Sequence, residues 1–129
     1  LLCDLDYFKK INDTYGHAAG DRVVKSLARL LKQRLRETDI VGRYGGDEFY
    51  VILNDTDAVS AAKVIDEIRS VFNRSMHLSQ DSEFFVSFSC GISDLTHFSD
   101  VPGLCEAAEK AMFQAKQRGR NKVIVNTGD

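Results

Sequence analysis

A Gly-Gly step between two short apolar segments constrains the fold more than any other feature of the sequence. "DIVGRY" precedes the step and "EFYVIL" follows it, and both segments have the composition and length of short strands. Two such segments about a Gly-Gly turn predict a β-hairpin. The hairpin places Asp47 and Glu48 at or beside its turn, where adjacent carboxylates repel each other unless a cation neutralises them.

The remaining segments predict alternating strands and helices. Apolar residues alternate in "LLCDLDYF", and the same alternation puts Asp4 and Asp6 on one face at the carboxyl end of this first strand. "NDTYGHAAGD" is typical of a turn-rich loop, "FFVSFSCGI" of one half-buried strand and "NKVIVN" of a last strand. Helical spacing predicts helices over about 21–36, 58–76 and 102–118.

The order of these elements predicts an α+β fold. A βαββαβ order is the ferredoxin-like or palm-like plan, in which helices pack around a sheet containing antiparallel strands, and here an αβ unit is added at the C-terminus. The length of 129 residues fits one domain, residues 1–129. Because the sequence starts inside a predicted core strand, we expect an N-terminally truncated piece of a longer protein.

Composition excludes some partners. The formal net charge of -2 gives no field strong enough for nonspecific binding of nucleic acid, so we expect no nucleic-acid partner. The three cysteines show no CxxC spacing, which fits reduced thiols and predicts a cytoplasmic domain. Whether the parent protein is attached to a membrane stays open.

The acids at the strand ends predict a metal site. In the split βαβ plan the strands that carry Asp4, Asp6, Asp47 and Glu48 can be neighbours, so these carboxylates would converge. Such a cluster of hard oxygen ligands suits Mg²⁺, which typically takes one or two carboxylates together with phosphate oxygens. Because side chains alternate along a strand, Asp47 and Glu48 cannot both point the same way without turn geometry, so one of the two is a candidate for supporting the metal ligands or for catalysis. Taken alone, "YGGDEF" also fits a polar hairpin turn.

Three motifs in order give the chain a specific resemblance. "DLDYFKKINDTYGHAAGD", "YGGDEF" and "AKQRGRNKV" together resemble the GGDEF domain, the diguanylate cyclases that join two GTP into cyclic di-GMP. The resemblance implies Mg²⁺, with Mn²⁺ as a possible substitute. It implies that Asp47 acts as general base for the attacking 3′-hydroxyl and that Lys9 offsets charge near the phosphates. The implied metal ligands are Asp4, the backbone carbonyl of Leu5, Asp47 and Glu48.

The resemblance also implies a GTP site. Asn12 and Asp21 match the guanine readers of the family, and an amide and a carboxylate can pair with the guanine edge and select GTP over ATP. Asp21 also fits a carboxylate near a helix N-terminus, and cations in the last turn of a helix are favoured by its dipole. Two GTP must face each other, which implies a homodimer. The other implied substrate contacts are Phe8, Lys9, His17, Lys116 and Arg120.

"RETD", which lies shortly before "YGGDEF", is an RxxD motif. The resemblance implies that Arg36 and Asp39 bind the product at an inhibitory site, while a surface ion pair or a helix cap is the plainer interpretation. The upstream family segment resembling "DxLTxLxNR" is not in this sequence. Lys63 and Glu67 occupy positions where some relatives supply another arginine, so product inhibition could be weak.

The hypothesis is therefore a catalytically competent diguanylate cyclase domain that serves as the output of an upstream sensor or dimerisation module. A first alternative is a noncatalytic receptor that binds cyclic di-GMP or GTP without turnover. A second alternative is another nucleotidyl cyclase or a polymerase-like transferase, because palm-like folds share two acids on adjacent strands.

Overall fold

The computed structural model describes residues 1–128, in which a five-stranded sheet is surrounded by four helices and a two-stranded hairpin lies apart from the sheet. None of these helices combines the length and the apolar character needed to cross a bilayer. The elements in chain order are β1 (Leu2–Leu5), α1 (Phe8–Tyr15), α2 (His17–Arg34), β2 (Ile40–Arg43), β3 (Glu48–Ile52), α3 (Ala58–Arg74), β4 (Met76–Ser79), β5 (Ser82–Phe85), β6 (Phe88–Ile92), α4 (Val101–Gln117) and β7 (Val123–Val125).

The strand order of the main sheet is β2-β3-β1-β6-β7. Strand β1 lies at the centre and pairs antiparallel with both β3 and β6, whereas β7 runs parallel to β6 after the α4 crossover. This arrangement confirms the predicted α+β fold with an added C-terminal αβ unit. The hairpin of β2 and β3 is also confirmed, with Ile40 opposite Ile52 at one end and Arg43 opposite Phe49 at the other.

The sheet is covered on both faces. On one face Cys3 and Leu5 of β1 belong to the main core, together with buried apolar residues of α2 and α3. On the other face Leu2 packs against Ala108 of α4. Helix α4 lies very close to β6, because a Cβ atom on Gly91 would stand 2.0 Å from the carbonyl oxygen of Ala108. The central strand is therefore fixed from both sides.

The segment predicted as a turn-rich loop is helical, so that prediction was wrong. Helix α1 ends at Tyr15, Gly16 interrupts the chain with a φ of 91°, and α2 begins at His17. Turn-forming residues are frequent here, but burial of Ile11 and packing of α1 on α2 outweigh these weak local preferences. Helix α2 consequently starts four residues before the predicted Asp21.

"FFVSFSCGI" forms two strands, which corrects the prediction of one. Strand β5 pairs with β4 in a separate hairpin, and β6 joins the main sheet. Phe84 of β5 stacks on Tyr15 at a centroid distance of 4.0 Å, so the hairpin packs against the end of α1. Helix α4 begins after Asp100, whose side chain accepts a 2.7 Å hydrogen bond from the backbone N–H of Gly103.

Candidate active site

Three carboxylates converge at the mouth of the β1–β3 pair. Asp4 lies directly opposite Glu48 in the antiparallel register, and the backbone N–H of Leu5 donates to the carbonyl of Asp47 at 3.0 Å. The side chains of Asp4 and Asp47 are close enough to share a hydrogen bond when one is protonated. Asp4, Asp47 and Glu48 are therefore neighbours, and their role as metal ligands stays a prediction.

The pKa values of Asp4 and Glu48 reflect the crowding at this position. Burial, and then the neighbouring Asp47 and Glu48, raise the pKa of Asp4 from its ordinary value of 3.8 to about 7, against the opposing effect of Lys116. Burial and the charges of Asp47 and Glu109 also raise the pKa of Glu48. A cation would stabilise the ionised forms of Asp4 and Glu48.

The residues at this position fit Mg²⁺. The Oδ1 atom of Asp4 is buried and has no hydrogen-bond partner among residues 1–128. In the same part of the chain, no three carboxylate, imidazole or thiolate groups stand close enough to hold an ion by side chains alone. Mg²⁺ usually takes only one or two carboxylates and completes its shell with water and substrate phosphates. An open, partly formed set of oxygens that includes Asp4 is therefore the expected kind of site.

Asp6 does not join this cluster. Its side chain is 2% exposed and turns toward β6 and the chain after α4. Oδ1 accepts from Ser89 Oγ at 2.7 Å, and Oδ2 accepts from Ser87 Oγ at 2.6 Å and from the backbone N–H of Asn121 at 3.0 Å. Burial alone would raise the pKa of Asp6. Hydrogen bonds from Lys116, Ser87 and Ser89 outweigh this effect and hold the pKa below its ordinary value.

The sequence did not predict that the Asp6 carboxylate accepts hydrogen bonds from several distant segments of the chain. The alternation of "FFVSFSCGI" places Ser87 and Ser89 on one face of a strand, opposite Phe88 and the other apolar residues. That pattern indicates a buried polar partner for the two serines. It does not identify Asp6 as the partner, because 81 positions separate Ser87 from Asp6 along the chain.

Lys116 crosses from α4 to the end of β1. Its Nζ donates to Asp6 Oδ1 at 2.7 Å, to the carbonyl of Leu5 at 3.1 Å and to the carbonyl of Asp4 at 3.3 Å. The same Nζ lies 3.7 Å from Asp4 Oδ1. An ammonium has three donors, so these contacts account for all of them. Lys116 Nζ, the predicted phosphate contact, is therefore adjacent to the Leu5 carbonyl, the predicted metal ligand. Both roles stay predictions.

Arg120 is held in a tight turn after α4. Gly119, Arg120 and Asn121 have φ values of 107°, 63° and 50°, so all three lie in the left-handed region. The Arg120 guanidinium stands over the ring of Tyr7, 4.6 Å from its centroid. This contact brings Arg120 to the residue that precedes α1, as expected if both line one nucleotide site.

The first turn of α1 has no side-chain cap from Tyr7. Its N-cap, Tyr7, adopts a φ of 56° and provides no side-chain hydrogen bond to the first turn. Backbone N–H groups at an uncapped helix start are a favourable position for phosphate oxygens. Phe8 and Lys9 occupy that first turn, and the Lys9 side chain is exposed. Their predicted phosphate contacts are compatible with this geometry and stay predictions.

Asn12 and Asp21 lie on the packed pair of α1 and α2. Asn12 Oδ1 is buried and has no hydrogen-bond partner within residues 1–128. It lies against Gly20, where a Cβ atom would stand only 1.8 Å away. Asp21 and His17 are exposed on α2. An unpaired amide oxygen can accept from a guanine N–H donor, which suits the role predicted for Asn12.

Arg36 and Asp39 form a separate site. Arg36 Nη2 donates to Asp39 Oδ1 at 3.1 Å and to Thr56 Oγ1 at 2.9 Å, and Asp39 Oδ1 also accepts from the backbone N–H of Asn54 at 3.2 Å. Burial raises the pKa of Asp39, but the hydrogen bonds from Arg36 and Asn54 and the charge of Arg36 hold it below its ordinary value. The pair adjoins the Ile40 end of the hairpin, and the acids adjoin the other end. Product binding there stays a prediction.

The chain has close relatives among known proteins. It matches the family model described as "Diguanylate cyclase, GGDEF domain" over residues 1–122. Diguanylate cyclase A of Treponema denticola is 39% identical over 127 residues, which cover 98% of this chain and 34% of that protein. The chain therefore spans about a third of the length of this curated relative.

Solved structures with the same fold include diguanylate cyclase domains. The active GGEEF domain of a diguanylate cyclase from Vibrio cholerae superposes with a TM-score of 0.90 at 30% identity, covering 99% of this chain and 81% of that one. The GGDEF domain of DgcB from Caulobacter crescentus, in complex with c-di-GMP, gives a TM-score of 0.87 at 28% identity, covering 97% and 75%. These matches confirm the resemblance, and the chain belongs to the GGDEF domain family of diguanylate cyclases.

Proposed function

We propose that this domain is a diguanylate cyclase that condenses two GTP into cyclic di-GMP and two pyrophosphates. The observation that carries the proposal is the buried Asp4 Oδ1, which has no hydrogen-bond partner within residues 1–128 and lies beside Asp47 and Glu48. An acid cluster of this kind is costly to fold without a cation. It is expected where a magnesium-bound triphosphate completes the site.

The residues divide the work by chemistry. Asp4, the Leu5 carbonyl, Asp47 and Glu48 would hold Mg²⁺, which neutralises phosphate charge when bound. Asp47 takes the proton of the 3′-hydroxyl as its oxygen attacks the α-phosphorus of the other GTP, and pyrophosphate leaves in line. Lys9 lies at the exposed start of α1, where a cation offsets charge on the phosphates. Lys116, Arg120 and the first-turn N–H groups of α1 orient the triphosphate.

Base selection rests on α1 and α2. The unpaired Oδ1 of Asn12 accepts from a guanine N–H donor, and the exposed carboxylate of Asp21 accepts from another, with His17 as a further contact. Adenine lacks these donors at the matching positions, so GTP is the expected substrate. Competition between ATP and GTP tests the alternative of a different nucleotidyl cyclase or a polymerase-like transferase.

The reaction requires two copies of the domain. One set of nucleotide-binding segments is present per chain, and each GTP attacks the other, so two protomers meet with their GTP molecules head to tail. We infer that the domain is the output of a longer sensor or dimerisation protein, since it spans about a third of the length of its curated relative. GTP and Mg²⁺ are supplied in the cytoplasm, which is where the domain would work.

The test is turnover at high protein concentration. The purified chain is incubated with GTP and Mg²⁺ beside an Asp47→Asn variant, and the nucleotides are separated by chromatography. Cyclic di-GMP from the wild type alone supports the proposal. A wild type that neither forms product nor binds a nonhydrolysable GTP analogue contradicts it.

A second candidate function is a noncatalytic receptor for cyclic di-GMP. Its specific support is the ordered Arg36–Asp39 pair, whose Asp39 side chain is 3% exposed while the Arg36 side chain is 57% exposed. A guanidinium presented in this way can bind a guanine edge or a phosphate. The same pair would give product inhibition in an active enzyme. Titration calorimetry with cyclic di-GMP, performed beside the turnover assay, separates binding from catalysis.

A further inference from the structure

Asp6 directly follows β1, the strand that carries the predicted metal ligands Asp4 and Leu5. Its carboxylate connects this strand to Lys116 and to the turn of Arg120, the two predicted phosphate-binding cations. It bonds to Lys116 Nζ and to the backbone N–H of Asn121, the residue that follows Arg120. The remaining hydrogen bonds to its carboxylate come from Ser87 and Ser89 at the start of β6. One buried carboxylate thus joins β1, β6 and the turn after α4.

The four hydrogen bonds to the Asp6 carboxylate stabilise different parts of the structure. Those from Ser87 and Ser89 fix the carboxylate, and its own backbone N–H donates to the Ser87 carbonyl at 2.9 Å. The other two hydrogen bonds come from Lys116 and from the backbone of Asn121, and they connect the fixed carboxylate to the segments that carry the two cations. One fixes the ammonium of Lys116, and the other fixes the turn in which Arg120 and Asn121 adopt positive φ values of 63° and 50°.

The bond lengths at Lys116 indicate which contacts are exchangeable. The contact with Asp6 is charge-assisted and measures 2.7 Å, whereas those with the carbonyls of Leu5 and Asp4 measure 3.1 and 3.3 Å. A triphosphate oxygen can replace a carbonyl as acceptor while Asp6 keeps the ammonium in place. The Leu5 carbonyl is then free to face a cation.

We propose that Asp6 is a positioning residue for triphosphate binding, acting through Lys116 and through the turn that carries Arg120. The inference rests on the proposed function, in which these two cations bind the phosphates of GTP. It deepens that function by assigning a role to an acid that is outside both the predicted metal ligands and the predicted nucleotide contacts.

The experiment compares a triphosphate with a monophosphate. Calorimetry with excess Mg²⁺ measures the affinities of α,β-methylene-GTP and of GMP for the wild type, Asp6→Asn, and the charge-matched Asp81→Asn in the exposed β4–β5 turn. We expect Asp6→Asn to lose roughly tenfold in affinity for the triphosphate, about the value of one hydrogen bond to a charged group, and to bind GMP unchanged. Asp81→Asn should bind both nucleotides like the wild type.

A purely structural role gives a different result. It would lower the melting temperature of Asp6→Asn and leave the ratio of triphosphate to monophosphate affinity at the wild-type value, which would overturn the inference. If Asp6 acts through Lys116, adding Lys116→Met to Asp6→Asn should cost much less than Lys116→Met costs in the wild type; full additivity also overturns the inference.

The inference can also be tested if Asp6→Asn does not fold, and it is refuted if the wild type binds no nucleotide. If Asp6→Asn does not fold, Ser87→Ala removes the 2.6 Å bond to Oδ2 and leaves the carboxylate in place. It should weaken triphosphate binding about two- to threefold with GMP binding unchanged, since one neutral hydrogen bond is lost; an unchanged ratio refutes the inference. A wild type that binds neither nucleotide refutes the proposed function, and the inference with it.

Discussion

Gly20 on α2 leaves room for the side-chain oxygen of Asn12 on α1, because a Cβ atom at residue 20 would lie 1.8 Å from Asn12 Oδ1. Gly20→Ala should therefore push Asn12 away from its buried position. Because the end of a side chain can move aside, we expect a loss of stability of at most about 1 kcal/mol, together with a loss of roughly tenfold or more in GTP affinity. Thermal unfolding and calorimetry measure the two effects.

Gly42→Ala is the matched control for this variant. A Cβ atom on Gly42 meets no heavy atom within 4 Å, so the stability should change by less than about 0.5 kcal/mol. In an ordinary helix a Gly-to-Ala change stabilises by about 1 kcal/mol. A Gly20→Ala protein that is more stable than the wild type and binds GTP normally would contradict the role of this contact.

Asp4→Asn is expected to stabilise the metal-free protein while removing its affinity for Mg²⁺. The carboxylate is half-buried beside Asp47 and Glu48, and an amide removes one of the three charges and supplies an N–H donor. Because solvent screens part of this repulsion, the gain should be on the order of 1 kcal/mol, or roughly 4 °C in Tm. Thermal unfolding with a chelator and with Mg²⁺ separates the two effects.

The stability of the metal-free wild type should fall as the pH rises. The pKa of Asp4 is 3.8 ordinarily and about 7 in the fold, so between these values the folded state binds more protons than the unfolded state. The stabilisation is therefore complete below pH 4 and lost as the pH passes through 7. Relative to Asp4→Asn, the Tm of the chelated wild type should decline over that range; a constant difference would refute the assignment.

Arg36→Ala should relieve inhibition by cyclic di-GMP. It removes the exposed guanidinium that bonds to Asp39 and Thr56, while the acids at the opposite end of the hairpin stay intact. We expect the inhibitory concentration to rise at least about tenfold, as for one lost charged contact, with initial turnover unchanged. Arg34→Ala, at the exposed end of α2, is the control. Equal inhibition of both variants would exclude this site.

Gly91→Ala should destabilise the fold by forcing the backbone of α4 away from β6. The added Cβ would lie 2.0 Å from the carbonyl of Ala108 and 2.3 Å from the backbone nitrogen of Met112, and backbone atoms cannot move aside as a side chain can. The loss should reach the upper part of the range of about 1–3 kcal/mol seen for overpacked cores. Denaturant unfolding measures it against Gly42→Ala; a loss below 0.5 kcal/mol would show that α4 shifts freely.

Much of the sheet could be predicted because its signals are local. Alternation identifies β1, and the Gly-Gly step identifies the hairpin of β2 and β3. The helical character of most of residues 12–21 could not be predicted, because residues such as Asp13 and Gly16 favour turns, whereas burial of Ile11 and the packing of α1 on α2 stabilise helices there. The β4–β5 hairpin was missed for a similar reason, since the stacking of Phe84 on Tyr15 joins segments far apart in sequence.

The candidate site was predictable only where residues belong to short motifs. The convergence of Asp4 with Asp47 and Glu48 follows from neighbouring strands and their shared edge. The different environment of Asp6 does not follow, although it is two residues from Asp4 and on the same strand face. Its surroundings are set by Ser87 and residues after α4, and no local pattern encodes contacts over such separations.

The bonds from Asp6 to Lys116 and to Asn121 join residues that are 110 and 115 positions apart. At about 5–20 residues per second, a ribosome that has made β1 needs several more seconds to make α4. During that time the growing chain carries Asp4 without the ammonium that partly neutralises it. The proposed nucleotide site is therefore among the last parts of the domain to be completed, and a nascent or proteolytically shortened chain that lacks α4 carries its acids without Lys116.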